Sequence, residues 1–126
     1  MNESFHNFVK GNLDFVKTVQ ELMSQSLDDD IVRMDVQLRE IESSLCRMKG
    51  LEADANLHLD VAEAEGLKKL PKRSTEYTDM ERGRALAALV SEERRFRDLV
   101  TGIIDSIQTR VSYAQSRMRM IERNHG

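Results

Sequence analysis

The chain has 126 residues, enough for one domain. It is 33% charged, 40% apolar and 5% aromatic, with one proline and no tryptophan, a mix that disfavours a sandwich or α/β fold and favours long, surface-rich helices. The net charge of −3 hides a split: residues 1–67 carry 14 acidic and 6 basic side chains, residues 68–126 carry 8 and 13. Such a split suits oppositely charged helices that pack together, or a basic half that meets a polyanion.

The first apolar face runs from about Glu3 to Met23 through Phe5, Phe8, Val9, Val16, Val19 and Met23. Three of the four phenylalanines lie here (Phe5, Phe8, Phe15), which makes this helix either a lid on the chain's own core or a hook for another subunit. Ser24 to Asp30 is a break. Ser26 reads as the N-cap of the next helix, with Asp29 in the capping-box position and Asp28–Asp30 complementing the helix dipole. The three aspartates lack the alternating spacing and turn glycine of a calcium loop, so no metal is expected.

A second helix is expected over about 27–70. Ile31, Met34, Leu38, Ile41, Leu45 and Met48 follow at steps of three and four, a heptad seam. Leu51, Ala55, Leu59 and Ala62 continue it with smaller side chains. Cys46, the only cysteine, sits beside Leu45, where a buried thiol is expected. Gly66 and Pro71 bracket the helix end; Lys68 and Lys69 in its last turn, with Lys72 and Arg73 in the tip at 71–78, make this end of the hairpin basic. Thr78, with Glu81 three residues on, reads as a capping box for a third helix over about 79–123. Its seam runs through Leu86, Leu89, Phe96, Val100, Ile103, Ile107, Val111, Ala114, Met118 and Ile121, with Glu93 inside it and Gly83 and Gly102 as soft points. The 103–107–111 steps are a stutter. The expected fold is therefore all-α: one domain, a long antiparallel coiled-coil-like hairpin with a short N-terminal helix. Thin seams favour assembly into a homo-oligomer through Ile31, Met34, Leu38, Ile41, Leu45, Val100, Ile103, Ile107, Val111, Met118 and Ile121.

No Gly-rich phosphate loop, paired-Cys motif or nucleophile elbow is present, and His6, His58 and His125 are far apart. No catalytic residues, metal or cofactor are expected. No apolar run approaches the ~20 residues that span a bilayer, and no signal peptide precedes the first helix, so a cytoplasmic protein without a membrane partner is expected. The remaining signal is basic. Ten of the thirteen basic residues after position 67 are arginine, whose planar fork suits phosphate and carboxylate. Arg110 and Arg117, seven apart, share a helix side. With the tip lysines they offer a basic strip for nucleic acid. The competing reading pairs these arginines with acids of the second helix such as Glu40, Glu42, Glu52 and Asp54.

Thr101-Gly102-Ile103-Ile104-Asp105-Ser106-Ile107-Gln108-Thr109-Arg110 resembles a pattern in the recombination mediators of tailed phages, the UvsY-like group. There too a long last helix carries a small hydroxyl residue and Gly, then Asp, Ile, a hydroxyl residue and Arg at similar spacing. The resemblance covers about ten residues and the helical layout. It implies a ring-forming protein that binds single-stranded DNA and helps load a recombinase onto DNA covered by single-strand-binding protein. It also implies assembly through residues 100–121. In that family, basic residues that contact DNA lie toward the end of the middle helix. Here the matching stretch, Leu51 to Asp60, is acidic, so Lys68, Lys69, Lys72 and Arg73 rest on local charge alone. The alternative is a coiled-coil adaptor that binds a partner helix and no nucleic acid.

Overall fold

In the computed structural model, which describes residues 3–72, 74 and 77–125, the chain is all-α. Its helices are α1 (Glu3–Ser24), α2 (Ile31–Lys69), α3 (Asp79–Leu89) and α4 (Ser91–His125). α2 and α4 form the long antiparallel pair, and α1 lies against both as a third rod rather than a short appendage. Phe5 near the start of α1 meets Phe96 near the start of α4, and the end of α1 meets Arg110 further along it. α1 therefore runs parallel to α4 and antiparallel to α2.

The main core gathers Phe5, Val16 and Val19 from α1, Ile41, Met48, Leu51 and Ala55 from α2, and Phe96, Val100, Ile103, Ile104 and Ile107 from α4. A smaller cluster of Met34, Leu38 and Ala114, with Leu27, Val111, Met118 and Ile121 against it, closes the other end. These are largely the seam residues that the sequence offered for self-assembly. Within one chain they already cover each other, because α1 supplies the third face that a two-helix hairpin lacks. The Phe-rich start of α1 acts as a lid on the chain's own core: Phe8 stacks on His58 at 4.5 Å, and both Phe5 and Phe8 meet Phe96 edge-on.

Three local expectations are corrected. α2 begins at Ile31, capped by Asp30, whose carboxylate accepts the Val32 N–H at 2.8 Å. Ser26 is not the cap; its carbonyl accepts the Gln37 side-chain amide at 3.0 Å, while Asp28 accepts the Asp30 N–H. Asp30 wins because its short carboxylate stands directly before the first helical turn. Cys46 is exposed rather than buried, since Ser44 and Leu45 take the inward positions on that turn. The expected third helix is two helices, bent at Val90 and not at Gly83 or Gly102. The ladder survives the bend: the Val90 N–H donates to Leu86 and the Val90 carbonyl accepts from Arg94. Val90 is buried and Leu89 is turned out, so the bend moves the seam by one residue. Ser91-Glu92-Glu93 follows and supplies the acids of a fresh helix start. Thr78 caps α3 as expected, accepting the Glu81 N–H at 3.3 Å.

Candidate nucleic-acid interface

Lys68 and Lys69 occupy the last turn of α2, where cations complement the helix dipole. The helix ends at Leu70, whose N–H donates to Leu67, and Pro71 follows. Lys72 lies in the connection; all three lysines are exposed, and among the described residues no ion pair holds them. Arg73 lies outside the described residues. Arg82 of α3 reaches back to the Pro71 carbonyl at 3.0 Å and ties the connection to α3. The lysines thus present ammonium groups on flexible stems at one end of the bundle, a surface suited to phosphate by charge rather than by shape.

Arg110 and Arg117 lie elsewhere. Arg110 is half-buried and donates to the carbonyls of Met23, at 3.1 Å, and Gln25. Its Nε is buried without a hydrogen-bond partner. α1 has no basic residue in its own last turn, so a guanidinium from α4 meets the carbonyls at its C-terminal end. Arg117 pairs with Asp29 and donates to the Tyr113 hydroxyl at 3.4 Å. The Tyr113 hydrogen bond first, and Asp29 second, push the Arg117 pKa above the ordinary arginine value, so its charge is fixed. Both guanidiniums border an open cleft of about 740 Å³ with Ser106, Thr109 and Tyr113, and with Asp105 as an opposing acid. Arg117 meets the start of α2 and the lysines stand at its end; 39 helical residues separate them by about 58 Å. The sequence suggested one basic strip; the fold separates it into two sites.

Between α2 and α4 the polar contacts run along one flank. Arg94 meets Glu63 at 3.5 Å, Arg97 meets Asn56 at 3.3 Å, and the Thr101 hydroxyl donates to Glu52 at 2.7 Å. Of the acids expected to pair across the helices, Glu52 takes a hydroxyl, while Glu40, Glu42 and Asp54 are exposed and make no interhelical ion pair among the described residues. Arg84, Arg95, Arg119 and Arg123 face outward. Among the described residues no group of three or more His, Cys, Asp or Glu is placed to share a metal ion, and no helix is long and apolar enough to cross a membrane.

The sequence reading missed the Arg110 latch. The available signal was the end of the first helix itself, Leu22-Met23-Ser24-Gln25, which has neither a glycine nor a cation to satisfy its carbonyls. It also missed an apolar cavity of about 490 Å³ between α1 and the start of α4, walled by Phe5, Val9, Phe96 and Leu99. That cavity needs residues about ninety apart in sequence, so no local pattern announces it. Comparison with known proteins adds no relative: no family model matches the chain, and neither a curated protein nor a solved structure matches it.

Proposed function

We propose that the chain is an oligomeric single-stranded-DNA-binding recombination mediator that helps load a recombinase, with a single-strand-binding protein as its other partner. The observation that carries this reading is the end of the bundle where Lys68, Lys69 and Lys72 stand exposed, without an acidic partner among the described residues. Two features support it: the Thr101–Arg110 stretch that resembles the UvsY-like pattern, and its position on the long last helix. On this reading the lysines hold phosphates, and the chain positions DNA without acting on it chemically.

The test is fluorescence anisotropy of the full chain with labelled oligo-dT, at low and physiological salt, with a duplex control. Binding that favours the single strand and falls steeply with salt is expected, because phosphate contacts release counterions. Replacing Lys68, Lys69 and Lys72 together by Glu should weaken it at least tenfold. Absence of binding at low salt removes the mediator reading.

A second reading is an adaptor that binds protein and no nucleic acid. The intrachain partners of Arg94, Arg97, Arg110 and Arg117 favour it, since a guanidinium already hydrogen-bonded within the chain must give up that contact to take a phosphate. A stable complex without DNA affinity would select it.

A further inference from the structure

α2 carries a second stripe on the side opposite its buried seam. Val32, Val36, Arg39, Ser43, Cys46, Gly50, Ala53, Leu57, Val61, Ala64 and Lys68 follow at steps of three and four, and every one of them is exposed. Val32 is 69% exposed, Leu57 61% and Val36 53%. The centre of the stripe is Ser43, Cys46, Gly50 and Ala53, side chains small enough for another helix backbone to approach closely. Gly50 has no role within the chain that excludes a side chain: an added Cβ would meet nothing within 4 Å. Yet a glycine inside a helix costs about 1 kcal/mol relative to alanine.

We propose that this outer face of α2 packs against the same face of a second copy of the chain, antiparallel, with Gly50 near the two-fold axis. Charge selects the occupant and its direction. Residues 31–50 carry four basic and three acidic side chains, while residues 51–67 carry five acidic and no basic ones. Antiparallel pairing sets each acidic half against a weakly basic half. Parallel pairing sets the two acidic halves on each other, which is unfavourable. A symmetric contact also brings each large apolar end of the stripe over the partner's helix. The size suffices. The stripe runs about 54 Å, and a strip roughly 11 Å wide covers about 600 Å² on each copy, about 1,200 Å² in all, above the ~1,000 Å² expected of a specific interface. The face lies away from the α1–α4 side of α2; only its last residue, Lys68, is shared with the proposed DNA site, and the stripe from Val32 to Ala64 holds under either functional reading.

The test uses the full chain without DNA, so its failure is distinct from failure of DNA binding. Light scattering on a sizing column should give a dimer or an even-numbered assembly for the unaltered chain. The Leu57→Asp/Val61→Asp double variant should weaken self-association at least tenfold while keeping the helical circular dichroism and melting temperature, because both residues are exposed. Val36→Asp should act in the same direction from the other end. Spin labels on Ala64→Cys, in a Cys46→Ser background, should lie about 40 Å apart across an antiparallel pair centred on Gly50, against less than about 20 Å for a parallel one. A monomeric chain, an assembly indifferent to all three substitutions, or a short spin–spin distance overturns the proposal.

Discussion

Arg110 holds together parts of the chain that are far apart in sequence. It joins α4 to the carbonyls of Met23 and Gln25, and hydrogen bonds to a charged group contribute about 1.5–3 kcal/mol. Arg110→Ala should lower stability by about 2 kcal/mol in urea denaturation, and Arg110→Lys should recover little, because one ammonium cannot reproduce the fork. The readout separates an architectural role from a DNA role: on the former, stability falls and oligo-dT affinity at low temperature is unchanged. Arg117 adds no pH dependence in the neutral range. Its pKa is raised by Tyr113 and then Asp29, so its contribution persists at every pH below that raised value and is lost only in strong alkali. Glu93 shows another compromise at this scale. The residue is buried in the seam, where a carboxylate costs stability that an apolar side chain would not.

At the scale of elements, the contact of α3 with α2 depends on Gly66. A Cβ there would stand 2.8 Å from the Leu86 Cδ1 and 3.7 Å from the Leu89 Cδ1. A single methyl can be met by a shift of the leucine tip. Gly66→Val adds branching that the tip cannot clear, and should destabilise the fold by about 1–3 kcal/mol. Gly83→Ala is the control. Its Cβ would meet nothing within 4 Å, so it should raise stability by up to ~1 kcal/mol through helix propensity. Thermal melts of the two variants should therefore move in opposite directions. The bend at Val90 adjoins the same contact. Val90 is buried, while Leu86 and the half-exposed Leu89 stand against Gly66.

At the scale of the whole molecule, stability resides in the three-rod core shared by α1, α2 and α4. Ile107 is fully buried in it. Ile107→Ala should cost about 3 kcal/mol, within the ~2–5 kcal/mol of such truncations, while Leu99→Ala, at a partly exposed position, should cost less than about 1 kcal/mol. Because one core contains side chains from all three rods, unfolding should be a single transition whether followed by circular dichroism or by tyrosine fluorescence. A separate early loss of helix would show that α1 docks independently. The charge split belongs to this scale too: the acidic side chains of α2 concentrate in residues 51–67, while exposed cations stand at the α2–α3 end and on outward positions of α3 and α4 as well as on the first half of α2.

The all-α class, the antiparallel pairing of the two long helices, the Thr78 cap and most of the inward set from Met34 to Ile107 were legible in the sequence; the outward Leu89 and the buried Val90 and Ile104 were not. Heptad spacing and capping chemistry are local, and a helix's buried face follows from its own periodicity. Three things required the tertiary structure. The first is whether the seams meet within the chain or between chains, because periodicity names a face and not its partner; α1 completed the core. The second is the fate of Arg110 and Arg117, since an arginine's partner depends on which carbonyl or carboxylate the fold brings within a few ångströms. The third is the break between α3 and α4 at Val90, a position that neither a glycine nor a proline marks. Side-chain pattern fixes what each helix must hide, and packing in three dimensions decides what hides it.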